Sequence, residues 1–216
     1  MLENVGAQRE EAIIAAAHRR FAHFGYSKTT MEEIAGDLGM GKASLYHYFA
    51  TKESLFCAVL GREQDLFIIL ARSLADGRGS AEEKLRAYVD RRLDYFQNAL
   101  ILGKLSFDTF SSIKPAMTAL SEEFARKELQ ILCAILRCGI SEGEIAADNP
   151  EQLSKLFLHI LQGLRLRAFR SGIGDPINDQ QFEELRWEAT LATTLFWRSL
   201  NPHVTVLPLP SSASIP

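Results

Sequence analysis

Apolar residues recur along most of the chain at intervals of three and four positions, which is the repeat of an amphipathic α-helix. Ile14, Ala17 and Phe21 form the first such stripe and predict a helix from about Gln8 to Phe24. The alternation of apolar and polar positions that marks a β-strand is absent from the sequence. The hydrophobic pattern therefore predicts an all-α protein.

A pair of short helices around a tight turn is predicted next. Thr30 and Glu33 match a capping box, in which each side chain bonds to the backbone N–H of the other residue. Thr29 and Glu32 match the same motif, so the start of the helix is uncertain by one residue. Gly39 follows the apolar face of this helix and suits the left-handed conformation that ends many helices. These signals place one short helix before Gly39 and a turn after it.

The second helix of the pair, starting near Gly41 or Lys42, has the layout of a helix that enters the major groove of DNA. Leu45 and Phe49 point inward, whereas the outer face offers polar groups that can bond to phosphates or base edges. A solvated helical hairpin is the alternative, but the coincidence of cap, turn and polar face favours DNA binding. The predicted DNA-contacting residues are Thr29, Thr30, Gly41, Lys42, Ala43, Ser44, Tyr46, His47, Tyr48 and Lys52.

The stretch from Arg9 to Leu60 resembles the N-terminal domain of the TetR family of bacterial transcriptional regulators. The chain departs from that family at Gly41, where a serine or threonine often caps the recognition helix and glycine leaves a donor unpaired. The resemblance implies a homodimer with a three-helix DNA-binding domain and a larger helical domain that binds ligand and dimerises. The matching residues are Ile14, Ala17, Phe21, Phe24-Gly25-Tyr26, Thr29-Thr30, Ile34-Ala35, Leu38-Gly39, Leu45-Tyr46-His47-Tyr48-Phe49 and Lys52-Glu53-Ser54-Leu55.

Helical periods continue to the end of the folded part and predict about nine helices in all. A long helix from Lys52 to about Leu74 leaves the DNA-binding domain and enters the next one. The later helices are expected over residues 80–99, 103–112, 115–138, 150–172 and 179–200, with proline at the first turn of two of them. The predicted domains are 8–55 for DNA binding, with its motif at about 30–49, 56–200 for ligand binding and dimerisation, and 201–216 as a disordered tail.

The bulk charge of the chain does not identify a nucleic-acid binder. Lys and Arg number 24 against 27 Asp and Glu, which gives a net charge of −3. DNA binding must therefore depend on where cations are placed, and Lys28, Lys42 and Lys52 flank the proposed reading face. Weak overall basicity predicts a modest non-specific affinity for DNA.

Motifs of catalysis, metal binding and membrane targeting are absent from the sequence. It contains no HExxH, GxSxG, P-loop or Gly-rich dinucleotide motif, and Cys57, Cys133 and Cys138 lack metal-binding spacing. We therefore expect neither enzyme activity nor a metal or cofactor. The N-terminal segment MLENVGAQRE has no signal-peptide character, and the apolar runs are too short to span a bilayer. A cytoplasmic protein without a membrane partner is expected.

The last two predicted helices carry more apolar residues than one stripe accounts for, which is typical of helices covered on more than one side. Two such helices from each chain could form a four-helix bundle, and the family resemblance implies the same pair. A larger monomer core is the alternative. The predicted interface residues are Leu156, Leu161, Leu164, Leu191 and Leu195.

A small-molecule pocket in the larger domain is implied by the resemblance. Its candidate residues are mostly aromatic, and each of them can equally belong to the plain core. A mostly apolar pocket predicts a hydrophobic ligand such as an aromatic compound, a lipid-like molecule or a drug. The candidates are Phe67, Tyr88, Tyr95, Phe107, Phe110, Met117, Phe124, His159 and Trp187.

These expectations combine into a sequence-specific regulator of transcription. We expect a homodimeric repressor that binds a palindromic operator in double-stranded DNA and is released by a small, largely apolar effector. An activator of the same fold is one alternative, and a helical adaptor between proteins is another. Binding to a palindromic duplex with a steep salt dependence would separate the DNA-binding functions from the adaptor.

Overall fold

A computed structural model describes residues 2–103, 107–171 and 177–200. These residues form eight α-helices, and the described part of the chain contains no β-strand. The helices are α1 (Leu2–Phe24), α2 (Met31–Asp37), α3 (Lys42–Tyr48), α4 (Lys52–Asp76), α5 (Ala81–Gly103), α6 (Phe107–Ser141), α7 (Pro150–Ser171) and α8 (Asp179–Ser199). The all-α expectation is thereby confirmed.

The three N-terminal helices pack around a shared apolar core. Phe21 on α1, Ile34 on α2 and Leu45 on α3 are all fully buried. Phe56 on α4 completes this core, with its ring edge-on to Phe21 and the two ring centroids 5.1 Å apart. The start of α4 therefore belongs to the same packed unit as the two short helices.

Helix α4 connects the three N-terminal helices with the rest of the helical fold. It runs for 25 residues without a break, which corresponds to about 38 Å at 1.5 Å per residue. Its buried residues extend from Leu55 beside α1 to Ala71 among α5 and α6. A single packed rod thus joins the N-terminal helices to the larger helical bundle.

The larger bundle is formed by α5 to α8 together with the second half of α4. Its centre contains fully buried apolar side chains such as Leu132 and Leu136 on α6. Phe157 on α7 and Phe196 on α8 pack with ring centroids 4.6 Å apart. This core holds the last two helices side by side and leaves their outer faces exposed.

The helix count differs from the expected nine because the predicted break before Pro115 does not occur. Helix α6 continues from Phe107 to Ser141 with Pro115 inside it. Proline removes one backbone hydrogen bond, which costs about 3 kcal/mol in a helix interior. Ile113 and Met117, on either side of it, are buried, and their packing offsets this loss.

The start of α1 differs from the predicted one, and the predicted tail cannot be compared with the structure. Helix α1 begins at Leu2 rather than near Gln8, so its first turns precede the predicted apolar stripe. The tail predicted over residues 201–216 lies outside the described residues. Within the described ranges, no helix combines the length and apolarity that crossing a membrane requires.

Candidate functional site

Helix α2 begins with the capping box expected at Thr30. The Thr30 hydroxyl accepts a hydrogen bond from the Glu33 N–H at 3.3 Å, and the Glu33 carboxylate accepts one from the Thr30 N–H at 2.9 Å. Arg20 on α1 donates two hydrogen bonds to the Asp37 carboxylate, at 2.6 and 2.8 Å. These contacts fix α2 against α1 and show that Thr30 is the N-cap.

Thr29 does not lie on the DNA-contacting face where the sequence placed it. Its side chain is only 1% exposed, and its hydroxyl donates to the carbonyl oxygen of Gly25 at 2.8 Å. Gly25 has a φ of 83°, so the chain reverses there in a conformation that favours glycine. The Thr29 side chain therefore closes the turn between α1 and α2, and the expectation of a DNA contact through it is corrected.

The turn between α2 and α3 is made by Gly39, as expected. Its φ of 60° is left-handed, and the next N–H, that of Met40, donates to the Ala35 carbonyl oxygen at 3.0 Å. Helix α3 then starts at Lys42 with Gly41 as its N-cap, and no side chain caps it. The backbone N–H groups at the start of α3 are thus left without a side-chain acceptor.

Helix α3 packs against the N-terminal core with one face and exposes the opposite face to solvent. Leu45 is fully buried against the N-terminal core. Lys42 pairs with Glu32 on α2, and its ammonium lies 5.6 Å from the centre of the Tyr46 ring. An exposed ion pair contributes little net free energy, so the pairing with Glu32 does not exclude the predicted contact of Lys42 with a DNA phosphate. The exposed residues of α3 are Lys42, Ala43, Ser44, Tyr46, His47 and Tyr48.

Lys52 opens α4 beside the hairpin, but most of its hydrogen-bonding capacity is used inside the chain. Its ammonium donates to the carbonyl oxygens of Tyr26 at 3.0 Å and Thr29 at 3.2 Å, and it lies 4.3 Å from the centre of the Tyr26 ring. The Tyr26 hydroxyl donates to Glu53 at 2.8 Å. One of the three Lys52 donors remains for a phosphate, so its DNA contact stays a prediction.

Arg9 is a cation near the reading face that the sequence did not single out. It is exposed on α1 and borders a shallow surface depression together with Ala43, Ser44, His47 and Tyr48 of α3. The signal was hidden because a helix starting near Gln8 would leave Arg9 at its frayed end. Since α1 starts at Leu2, Arg9 lies inside a formed helix and faces the edge of α3.

A second candidate site is a cavity enclosed by α4, α5, α6 and α7. Its volume is about 100 Å³. Tyr95, Met117 and Phe124, three of the predicted pocket residues, line it. Phe67 packs behind them, with its ring centroid 5.5 Å from that of Tyr95 and 5.7 Å from that of Phe124. Three of the predicted aromatic residues, Phe67, Tyr95 and Phe124, thus pack together at one side of the cavity.

The cavity also has charged lining residues that the sequence did not reveal. Arg92 on α5 is 5% exposed and donates to Glu128 on α6 at 2.6 Å, while Tyr88 donates to the same carboxylate oxygen at 2.6 Å. Burial acts to lower the pKa of Arg92, but the charge and hydrogen bond of Glu128 together with Tyr88 outweigh it, and the pKa is raised. Arg165 on α7 lines the cavity as well. Such residues look like ordinary surface charges in a helical sequence.

Other predicted pocket residues lie elsewhere. Trp187 is 66% exposed on α8, and His159 is exposed on α7. Tyr88 is fully buried behind the cavity wall and is not among the residues lining it. The side chains of Phe107 and Phe110 lie outside the described residues. Periodicity failed for Trp187 and His159 because an amphipathic stripe does not show which of several faces turns toward a cavity.

The predicted dimer-interface residues divide into exposed and internal ones. Leu161 is 4% exposed and belongs to the core of its own chain, so its assignment to a dimer surface is corrected. Leu164 is partly buried against the same core. An exposed apolar face nevertheless covers α7 and α8, and its members are Leu156, Leu166, Trp187, Leu191 and Leu195.

The three cysteines are free thiols and are partly buried. Burial raises the pKa of Cys57, Cys133 and Cys138, which disfavours the reactive thiolate. In the described ranges, His, Cys, Asp and Glu side chains nowhere group in threes that could hold a metal ion. The geometry thus offers these cysteines no activating environment.

Residues 13–59 match the family described as bacterial regulatory proteins, tetR family. The chain is 30% identical to the HTH-type transcriptional regulator RutR of Escherichia coli (strain K12) over 92 residues, which cover 41% of this chain and 43% of RutR. It is 29% identical to the HTH-type transcriptional activator FasR of Mycolicibacterium smegmatis over 112 residues, 52% of this chain and 51% of FasR. The chain thus spans about half the length of these two relatives.

The structural similarity extends over most of the chain. A transcriptional regulator from Cytophaga hutchinsonii ATCC 33406 has the same fold with a TM-score of 0.80 and 36% identity, and the match covers 88% of this chain and 97% of that one. These relatives are regulators of transcription rather than enzymes, which confirms the expectation drawn from the missing catalytic motifs. The hairpin, its capping and the match over nearly the whole fold agree, and the chain belongs to the TetR family of bacterial transcriptional regulators.

Proposed function

We propose that this regulator is a homodimeric repressor that acts in the cytoplasm, binds a palindromic operator and leaves it when a small molecule enters the cavity. The observation that supports operator reading is the outer face of α3. Its lysine, hydroxyl, phenol and imidazole groups are exposed, while Leu45 on the opposite side is fully buried. Such a helix can donate to phosphates and base edges without losing its own packing.

The exposed apolar face on α7 and α8 supports the dimer. Leu195 is 58% exposed and Trp187 is 66% exposed, and large apolar side chains exposed together on two packed helices are typical of an interaction surface. If two copies join through this face about a two-fold axis, each copy presents one α3 to the DNA. A two-fold dimer then matches a palindromic site with half-sites about 34–36 Å apart.

The route from the cavity to DNA runs through α4. Leu60 and Gln64 line the cavity, and Lys52 at the start of the same helix bonds to the turn before α2. The cavity is smaller than the roughly 300–1,000 Å³ that drug-sized ligands occupy. A ligand of that size must therefore displace lining helices, and a shift of α4 would move the two α3 helices of a dimer away from the operator spacing.

An activator of the same fold is the second candidate, and the description of the relative FasR as a transcriptional activator favours keeping it. The two functions share the DNA contact and differ in what the bound protein does to the promoter. Transcription in vitro from a promoter that carries the selected operator separates them. Repression predicts fewer transcripts with the protein present and recovery when ligand is added.

Selection of bound DNA from a random duplex library tests operator binding, symmetry and spacing together. The expected result is an inverted repeat whose half-sites lie one or more helical turns apart. Selection without enrichment would refute the DNA-reading role of α3. Enrichment of a single asymmetric site would leave DNA binding standing and refute the symmetric dimer.

A further inference from the structure

The charges lining the cavity are not balanced. Arg92 and Arg165 contribute two positive charges, and Glu128 contributes one negative charge. Glu128 is 1% exposed and is already bonded to both Arg92 and Tyr88. The Arg92–Glu128 pair is therefore neutral as a unit, and the excess positive charge is that of Arg165.

Arg165 is the cation without a carboxylate partner. Its guanidinium lies 5.0 Å from the centre of the Phe96 ring, and no acidic side chain in the described ranges lies within ion-pair distance of it. Burial, and next the like charge of Arg92, lowers the pKa of Arg165 to about 10. Arg165 is partly buried at the cavity, so its guanidinium remains charged at neutral pH in a place where an unpaired charge is less favourable than in water.

The rest of the lining complements an amphipathic molecule. Met117, Phe124 and Phe169 offer apolar and aromatic surface, whereas Gln64, Ser121 and Gln162 offer neutral polar groups. An apolar body can lie against the first set while a planar carboxylate reaches the guanidinium, whose paired N–H donors match carboxylate geometry.

We propose that the effector is an amphipathic organic anion, a carboxylate with an aromatic or alkyl body, whose acid group pairs with Arg165. This inference rests on the proposed function, because it assigns the chemistry of the ligand that occupies the cavity. It changes the expectation of a largely apolar effector by adding one acid group. Arg165 selects for the acid group of the ligand, and the apolar lining of Met117, Phe124 and Phe169 selects for its aromatic or alkyl part.

The test uses the purified full chain and two matched pairs of probes: 4-butylbenzoate with 4-butylbenzyl alcohol, and octanoate with 1-octanol. Titration calorimetry measures the affinity of each compound for the wild type. At least one acid is expected to bind about tenfold or more tightly than its alcohol, since a hydrogen bond to a charged group is worth that factor. Equal or tighter binding of both alcohols, or no binding of either acid, would overturn the proposal.

Three variants test whether the preference for the acid over the alcohol depends on Arg165. In Arg165→Met the acid should lose its advantage while the alcohol binds as before. In Arg165→Lys only part of the advantage should remain, because lysine keeps the positive charge but lacks the paired N–H donors. Arg167→Met is the matched control, because Arg167 is two positions along α7, is exposed and pairs with Glu188 outside the cavity. Cooperative thermal melting of each variant shows that it folds. An acid preference that persists in Arg165→Met would refute the assignment.

The same probes, added to the complex with selected operator, separate this inference from the proposed function. An acid that binds through Arg165 but leaves the DNA complex intact would refute release by ligand and leave the anion site standing. Release of DNA by the alcohols as readily as by the acids would refute the anion site and leave release by ligand standing.

Discussion

The ammonium of Lys52 lies 3.0 Å from the carbonyl oxygen of Tyr26, at the point where α4 leaves the DNA-binding helices. The same group lies 3.2 Å from the Thr29 carbonyl oxygen, so one side chain bonds to both ends of the turn between α1 and α2. Burial, and next the hydrogen bond to Glu53, raises the pKa of Tyr26, which keeps its hydroxyl protonated as a donor. Lys52 and Tyr26 thus fasten α4 to the turn that leads into the DNA-binding hairpin.

Replacement of Lys52 by alanine should therefore have two effects. Loss of two hydrogen bonds from a charged, part-buried donor should lower the free energy of unfolding by about 1–2 kcal/mol. Affinity for all DNA sequences should fall alike, and the slope of log affinity against log salt should flatten by about one unit. Denaturant unfolding and binding measured over a salt series check both effects.

Lys28→Ala is the control for this change, because Lys28 is exposed in the same turn. It removes an equal charge and should leave the free energy of unfolding unchanged. If Lys52→Ala were as stable as Lys28→Ala, the fastening role of Lys52 would be wrong.

Arg9 and Tyr46 should contribute to DNA binding in different ways. Arg9→Ala removes a cation at the edge of α3 and should weaken binding to all sequences equally, with a lower salt dependence. Tyr46→Ala changes the exposed face of α3 and should alter the preference among operator variants while the fold is kept. Competition binding with a set of single-base operator variants distinguishes the two patterns. Full affinity and preference in both variants would show that another surface reads DNA.

Substitution by glutamate should have different effects at Leu195 and Leu161, because the first side chain is exposed and the second is buried. Leu195 is 58% exposed, so Leu195→Glu should give a folded monomer, whereas Leu161 is 4% exposed and Leu161→Glu should unfold the chain. Sedimentation velocity and circular dichroism report the two outcomes. Leu66→Glu, at an exposed position on α4, is the control and should stay dimeric. If the wild type sediments only as a 24.2 kDa species, the predicted dimer is refuted.

Replacing only one member of the buried Arg92–Glu128 ion pair should strongly destabilise the fold. Glu128→Gln leaves the Arg92 charge uncompensated in the interior, and we expect it to lower the free energy of unfolding by about 3–5 kcal/mol. The double variant Arg92→Met, Glu128→Leu removes both charges and should recover part of that loss. The recovery is incomplete because the buried Tyr88 hydroxyl loses its acceptor. Chemical denaturation of the single and double variants measures this coupling. A double variant less stable than Glu128→Gln would contradict the explanation.

Control by ligand must be reciprocal if it acts through α4. A ligand that weakens operator binding 100-fold needs about 2.7 kcal/mol of differential affinity between the two conformations, and operator must weaken ligand binding by the same factor. Calorimetric titration of ligand into the free protein and into the protein–operator complex measures that factor. Equal ligand affinities in the two titrations would exclude release by this mechanism.

Local sequence determined the DNA-binding hairpin. The left-handed Gly39 and the inward Leu45 were predictable, and the capping box was predictable to within one residue, because each depends on residues within one or two turns of the same chain segment. Helix periodicity likewise predicted the all-α class. It did not predict that α6 continues through Pro115, since only the packing of neighbouring buried residues decides whether a proline ends a helix.

Tertiary structure alone decided which residues meet. Glu128 and Arg92 are 36 positions apart on different helices, and nothing in either segment shows that they form a buried pair. Leu161 and Arg165 are four positions apart on the same face of α7, and the rotation of the helix turns that face toward the core and the cavity. Packing between helices sets such rotations, because several faces of these helices are apolar enough to be buried. The sequence therefore determined the local geometry of the helix-turn-helix, while the charge of the cavity depended on contacts between distant parts of the chain.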